Sequence, residues 1–220
     1  TVDEAIELFI KAVEIDPSYS AAHAWLARAY TFQWVMLWNK TPVILGIALT
    51  YAQRAVELAP NSSYAISILG WVHLWRKDGD VSISYGKQAV ALDPNNAESL
   101  LFLSLALSAE GLGEEGLEYI KRSKRLTPTS SALHEFALGT CYYVLKEYAK
   151  AISAFEQGIR LNEHFIPNHS IRIYAYAHLG MIEEASIGLH RLDELTGFSK
   201  DLPFIVIWTN EDILKEETEL

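Results

Sequence analysis

The chain has little of several features that mark secreted, membrane or nucleic-acid-binding proteins. Its one cysteine, Cys141, excludes an internal disulfide. No apolar run approaches the roughly 18 residues that span a bilayer. Positive charge is scarce, because 18 Lys and Arg stand against 28 Asp and Glu, which gives a formal net charge of −10. A nucleic-acid surface needs clustered Lys and Arg. The basic stretch at residues 121–125 is interpreted as a solvated helix face, so we expect no nucleic-acid partner.

Motifs of catalysis and of cofactor binding are also missing. The glycines of GLGEEG at residues 111–116 begin a helix without a preceding strand, so they are not a phosphate-binding loop. No serine lies in a nucleophile elbow. His164 and His169 flank a turn that contains a proline and follows Glu163, and no cysteine or third histidine is adjacent. We therefore expect no enzyme activity, no metal site and no cofactor.

The sequence does contain a repeat. Pro60, Pro94 and Pro128 lie 34 residues apart, and each ends a similar phrase: AVELAP, AVALDP and SKRLTP. Two positions with small residues recur in phase with the prolines. The first is occupied by Ala12, Ala55, Ala89, Ser123 and Gly158. The second, seven residues earlier, is occupied by Ala5, Ala48, Ser82, Gly116, Ala151 and Ala185. Small side chains let neighbouring helices approach to about 8–10 Å. A period of 34 indicates helix pairs that bury their apolar faces only by stacking.

A third marker, a Leu-small pair, recurs in the first helix of four pairs, at Leu26-Ala27, Leu69-Gly70, Leu103-Ser104 and Leu138-Gly139, and the last unit keeps Tyr176, Leu179-Gly180 and Ala185. With these positions in phase, residues 2–195 resemble the tetratricopeptide repeat family. The resemblance implies an all-α, right-handed superhelical solenoid of about five and a half repeats over residues 1–198, followed by a capping or linker segment at 199–220. The predicted helices are 2–16, 19–38, 42–59, 62–76, 80–92, 96–110, 113–126, 130–145, 147–161, 166–179 and 181–195.

Two departures from the repeat are informative. The chain opens at the second helix of a pair, so we expect a segment of a longer protein. The interval from Pro17 to Pro60 is nine residues longer than the repeat, which predicts a longer second hairpin whose tip projects from the stack. The tip contains five consecutive non-polar residues, more than one helix face can hide. Either another element covers them or Trp34, Leu37 and Trp38 form an oligomer contact.

The family resemblance also implies that the first helix of each pair lines a concave groove that binds another polypeptide. Carried over by phase, the groove positions are Arg28, Phe32, Tyr64, Trp71, Trp75, Leu101, Leu105, Phe136, Tyr143 and Tyr174. Most are aromatic or aliphatic, which suits an apolar segment or an amphipathic helix of a partner protein. The alternative is that tight curvature packs neighbouring helices together, so that these rings, Trp71 and Trp75 included, belong to the core.

A finer resemblance rests on three stretches: AAHAWLARAYTFQW, AQRAVELAPNSSYAISILGWV and ELTGFSKDLPF. Together with the enlarged hairpin, they are similar to the C-terminal repeat regions of bacterial class III adenylate cyclases and of winged-helix regulators. That resemblance implies a regulatory, partner-binding or oligomerising region of a larger bacterial protein, and the single cysteine, which has no disulfide partner, favours a reduced, cytoplasmic setting. The competing hypothesis is a homodimerisation module that uses the tip and the C-terminal segment.

Overall fold

The computed structural model describes residues 1–38, 41 and 43–197. This part of the chain is all α-helix, as predicted, and the predicted helix ends agree with the observed ones within three residues. The eleven helices are α1 (Val2–Ile15), α2 (Ser20–Val35), α3 (Val43–Leu58), α4 (Ser63–Trp75), α5 (Gly79–Leu92), α6 (Ala97–Ala109), α7 (Gly113–Leu126), α8 (Ala132–Val144), α9 (Tyr148–Leu161), α10 (Ile166–His178) and α11 (Ile182–Thr196). The predicted segment 199–220 lies outside the described residues.

The helices form five consecutive hairpins, α2–α3, α4–α5, α6–α7, α8–α9 and α10–α11, which are numbered second to sixth because α1, counted as the B helix of an incomplete first unit, packs on α2 before them. We call the first helix of each hairpin its A helix and the second its B helix. Each A helix also packs on the next A helix along the chain. The prolines at 17, 60, 94 and 128, and Glu163 in the fifth case, each lie two residues after a B helix ends, where proline cannot continue a helix. This arrangement is the predicted helical repeat.

The small residues lie where helices touch. A Cβ added at Gly139 in α8 would lie 2.3 Å from the ring of Phe155, which is fully buried in α9. At Gly158 an added Cβ would lie 2.2 Å from the side-chain amide nitrogen of Asn168. The two helices of a hairpin, and neighbouring hairpins, can approach this closely only because no side chain stands between them. The small positions of the repeat therefore set the spacing of the stack.

Every A helix ends in the same way, with one residue in the left-handed region. These residues are Leu37 (φ 58°), Lys77 (φ 65°), Gly111 (φ 77°), Lys146 (φ 60°) and Gly180 (φ 70°). The next residue's N–H donates to a carbonyl five residues back, as from Leu112 to Leu107 at 2.9 Å. This closing pattern satisfies carbonyls that the helix end leaves free, and it favours glycine because a Cβ is strained there. Two units have glycine, two have lysine, and the second has leucine.

We expect Lys146→Gly to raise the free energy of unfolding by about 1 kcal/mol, since Lys146 is exposed and glycine removes the left-handed strain. Denaturant unfolding measures the change. The reverse substitution at the equivalent position, Gly111→Ala, meets no atom within 4 Å and should lower stability by a similar amount. If Gly111→Ala raised the free energy of unfolding, residue 111 would not have the left-handed backbone conformation.

The second hairpin is longer, as the spacing predicts. Its α2 and α3 have 16 residues each, whereas the other A helices have 13 and α5, α7 and α9 have 14. The prediction that its tip projects from the stack is wrong. Met36 and Leu37 are buried, and the Phe32 ring lies 6.4 Å from the ring of Phe165 at the start of the last hairpin. The tip thus folds across the interior and meets residues more than 130 positions away.

Candidate functional site

The A helices line the interior of the stack, and the described interior is largely filled by the chain itself. In α6 every residue from Ser99 to Ser108 is buried. A helix on the surface of a protein keeps one face in water, and α6 keeps none. Leu101 and Leu105, at predicted groove positions, have 2% and 0% of their surface exposed. The interior of the middle units is therefore packed core in this conformation.

The ten predicted groove residues divide into two sets. Trp71, Trp75, Leu101, Leu105, Phe136 and Tyr143 are buried. Arg28, Phe32, Tyr64 and Tyr174 are half-buried. The set that the sequence places on one continuous groove is thus accessible only toward the two ends of the stack. Their role in partner binding remains a prediction, and only the half-buried set can meet a partner without a rearrangement.

The N-terminal end of the interior holds a cluster around Arg28. Its guanidinium forms an ion pair with Glu98, which lies two repeats further along the chain, and both side chains remain partly exposed. Arg28 also donates to the Tyr64 hydroxyl at 3.4 Å. Its guanidinium carbon lies 5.0 Å from the centre of the Trp25 ring, the geometry of a cation–π contact. The cluster joins α2, α4 and α6 across the interior.

Burial and charge act in opposite directions in this cluster. Burial disfavours the charge on Arg28, but attraction by Glu98 and Tyr64 outweighs it, so the pKa of the guanidinium lies above its ordinary value. Burial raises the pKa of Tyr64 to about 12, although Arg28 acts the other way. Arg28 therefore stays a cation at physiological pH, and the neutral hydroxyl of Tyr64 accepts its hydrogen bond.

Sequence reasoning missed Trp25, which is 40% exposed at the edge of this cluster. Its ring stacks on Phe9 of α1 at 5.9 Å and lies 5.4 Å from the ring of Tyr64. Trp25 precedes Arg28 by three residues, so the two share one helix face. That spacing was a signal which could have added Trp25 to the predicted set. The surface formed by Phe9, Trp25, Arg28, Tyr64 and Glu98 is called the N-terminal aromatic surface below.

The tip residues are also divided. Leu37 is 9% exposed, Trp34 is half-buried against the core, and Trp38 is 59% exposed. Residues 36–38 face His164, Ile166, Leu195 and Thr196 across a cleft of about 320 Å³. Leu37 is therefore covered, as in the first alternative from the sequence, in which another element covers the tip. Trp38 remains accessible. An oligomer contact through Trp34, Leu37 and Trp38 remains a prediction.

The histidines serve the fold. His23 and His169 are buried at equivalent positions of two A helices, and each ring contacts the carbonyl six residues earlier, at 3.1 and 2.8 Å. His169 is buried, whereas His164 is exposed. Among residues 1–38, 41 and 43–197, no group of three or more His, Cys, Asp or Glu side chains could hold a metal ion. Cys141 is buried against Ser104, and burial raises the pKa of its thiol to about 11.

We expect the fold to lose stability as the pH falls below about 6.5. Burial lowers the pKa of His134 and of His169, and the nearby cations Lys124 and Arg172 lower it further. The folded chain therefore binds these protons only at lower pH than the unfolded chain, whose histidines titrate near 6.5, so protonation favours unfolding in that interval. Melting temperatures between pH 7.5 and 5 measure it. The fall in melting temperature should be smaller in His169→Asn than in the wild type, and it should be the same in His164→Asn as in the wild type. An equal fall in the wild type and both variants would show that His169 does not contribute to the pH dependence.

The basic stretch at 121–125 is used within the fold. Lys124 donates to the buried carboxylate of Glu135 at 2.6 Å, and Arg122 donates to the side-chain oxygen of Asn95. These contacts agree with its interpretation as a helix face. None of the helices in the described part of the chain is long and apolar enough to cross a membrane.

Comparison with known proteins places this geometry among helical repeats. A tetratricopeptide repeat model matches residues 136–165, which include most of α8 and all of α9. No curated protein sequence matches the chain. Among solved structures, the chain is similar to TTC0263, a tetratricopeptide repeat protein of Thermus thermophilus, with 20% identity, a TM-score of 0.63, and coverage of 98% of this chain and 100% of that chain.

Two further likenesses involve larger proteins. The first, in the APC/C hetero-tetramer Cut9-Hcn1, has 18% identity and a TM-score of 0.72, and covers 94% of this chain and 39% of that chain. The second, human IFIT1 as a dimer with PPP-AAAA, has 20% identity and a TM-score of 0.70, and covers 98% of this chain and 55% of that chain. The chain thus spans well under two thirds of either protein. Together with the local match at residues 136–165, these likenesses show that the chain has the all-α helical-repeat fold of tetratricopeptide repeat proteins.

Proposed function

We propose that the chain is a non-catalytic scaffold that binds a partner protein through the N-terminal end of its interior surface. The repeat fold supports this function, since stacked helix pairs present an extended surface and carry no catalytic constellation of their own. The likeness to a chain of the Cut9-Hcn1 assembly, a protein complex, agrees with it. We further propose, on the sequence resemblance alone, that the scaffold is a cytoplasmic regulatory region of a larger bacterial protein.

One observation carries the proposal: a partly exposed tryptophan, a tyrosine and an arginine lie together on the N-terminal aromatic surface. Trp, Tyr and Arg are the residues that most often dominate protein–protein binding energy. Arg28 is already oriented by Glu98 and Tyr64, so little side-chain freedom is lost when a partner binds. Phe9 extends the apolar area beside Trp25. The expected partner contributes an apolar or amphipathic segment, as the groove prediction proposes.

Affinity capture with matched variants tests this proposal. The wild-type chain, Trp25→Ala and Val81→Ala are immobilised, and proteins retained from an extract of the source organism are quantified by mass spectrometry. Val81 is exposed like Trp25, but it lies in α5 and is not part of the N-terminal aromatic surface. For a purified partner, Trp25→Ala should weaken binding by about 2 kcal/mol, roughly 30-fold. Retention of the same partners by all three proteins would contradict the proposal.

Two other outcomes are distinguished by the same proteins. The IFIT1 likeness makes RNA an alternative ligand, but the net charge of −10 and the internal use of the basic stretch weigh against it. Tight binding of a labelled single-stranded RNA at physiological salt would overturn the choice of a protein partner.

The exposed ring of Trp38 favours homodimerisation as the second candidate function. A dimer at micromolar concentration that Trp38→Ala dissociates would support it, and a monomer would exclude it.

A further inference from the structure

The contact between the hairpin tip and the last hairpin is unusual for a repeat protein. In a stack of repeats each unit contacts its neighbours along the chain. Here Phe32 of the second hairpin lies 6.4 Å, ring to ring, from Phe165, and residues 36–38 share a cleft with Ile166 of α10 and Leu195 of α11. Three complete hairpins separate the two sides. The stacking of the repeats does not require this contact, since each unit is already packed on its neighbours.

The residue at the turn of the tip shows how the contact is made. At the left-handed position that ends each A helix, the other four units have glycine or an exposed lysine. Leu37 takes the same strained backbone conformation, yet its side chain is buried in the large apolar cluster. A leucine there is unfavourable for the turn itself. Its apolar contacts inside the stack are what offsets the strain.

The cleft beneath the tip is only partly filled. It keeps about 320 Å³ of open volume between residues 36–38 and the opposite wall of His164, Ile166, Leu195 and Thr196. Trp38, which lines it, remains 59% exposed. Such a volume is at the lower end of what binding pockets have. Among the described residues, the lining is Met36, Leu37, Trp38, Ile166 and Leu195 with His164 and Thr196, so this part of the surface suits apolar side chains.

We propose that this cleft, called the tip cleft, is a binding site for a short apolar segment of a partner protein, rich in aromatic and large aliphatic side chains, and that the chain's own tip occupies it as an internal competitor. The tip shows the chemistry of the ligand, since residues 34–38 read Trp-Val-Met-Leu-Trp. Because the tip belongs to the same molecule and is held beside the cleft by the folded stack, a partner must compete with it. A partner therefore binds weakly until the tip withdraws.

A peptide with the tip sequence, residues 30–38, made soluble by three added C-terminal lysines, tests the proposal by fluorescence anisotropy. The proteins are the wild-type chain and Leu37→Gly, in which glycine keeps the turn and removes only the buried side chain. We expect Leu37→Gly to bind the peptide at least tenfold more tightly than the wild type, and a scrambled peptide to bind neither. Adding Ile166→Glu to Leu37→Gly should abolish binding, because it places a charge in the opposite wall of the tip cleft.

A second variant keeps the test decisive if Leu37→Gly does not fold. Trp38 is largely exposed, so Trp38→Ala should fold normally, loosen the tip and raise the affinity for the peptide at least threefold. Trp25→Ala, which alters only the N-terminal aromatic surface, should bind the peptide as the wild type does. Its effect belongs to the proposed function alone, so the two proposals fail separately. Equal affinity of the wild type, Leu37→Gly and Trp38→Ala, or binding that survives Ile166→Glu, would overturn the inference.

Discussion

Gly139→Leu should lower the free energy of unfolding by about 3 kcal/mol, the upper part of the range for overpacked cores. Even the first carbon of the new side chain would lie 2.3–2.8 Å from three atoms of the Phe155 ring, and that ring is fully buried. The ring of Phe136, which is also fully buried, lies 6.2 Å from the Phe155 ring and limits how far that ring can move. Denaturant unfolding of the folded variant measures the loss.

The same substitution elsewhere provides the control. Gly46 lies in α3 with no atom within 4 Å of an added Cβ. Gly46→Leu should therefore leave stability unchanged or raise it slightly, because leucine favours a helix over glycine by up to about 1 kcal/mol. If the two variants were equally stable, Gly139 would not lie at the crossing of α8 and α9.

Trp71→Ala is the second variant with a large expected effect, a loss of about 4 kcal/mol in the free energy of unfolding. Its ring is 2% exposed and stacks on Phe102 of the neighbouring A helix at 4.9 Å. Removing it leaves a cavity between two A helices that cannot collapse without bending the stack. Thermal and denaturant unfolding with circular dichroism give the measurement.

Two comparisons separate a core role from a binding role. Trp25→Ala, at the partly exposed edge, should cost only about 1 kcal/mol of stability. Trp71→Phe keeps an aromatic stack and removes an indole N–H that has no hydrogen-bond partner among the described residues, so its cost should also be about 1 kcal/mol. A Trp71→Ala protein that is as stable as the wild type would show that Trp71 is a free groove residue after all.

The sequence predicts the helices well because their signals are local. The helices α3, α5, α7 and α9 each end two residues before a proline or Glu163, and Asn96 caps α6. Ser62 caps α4 in the same way, since its side-chain oxygen accepts from the N–H of Ala65. Small residues such as Gly139 mark helix crossings because the spacing of two helices depends on one side chain. The helices and their pairing could therefore be predicted from the spacing, while the superhelical stack followed from the family resemblance.

The candidate site could not be predicted to the same degree. Whether Leu101 lines an open groove or a filled one depends on how sharply the stack curves, and no single repeat encodes the curvature. The contact of Phe32 with Phe165 joins residues that share no repeat phase. One signal was present: Leu37 stands where the equivalent residues are Lys77, Gly111, Lys146 and Gly180. A buried leucine at a strained turn indicates a contact beyond the hairpin.

Photo-crosslinking from the tip tests most directly whether the second hairpin closes the interior against the last one. Benzoylphenylalanine replaces Trp38, which is exposed enough to tolerate the change, and trypsin digestion identifies the attached peptide. The structure predicts crosslinks within one molecule to the tryptic peptides 161–172 and 192–200, which contain His164, Ile166, Leu195 and Thr196. Crosslinks that form only between molecules, or only to peptides of the second and third hairpins, would contradict it.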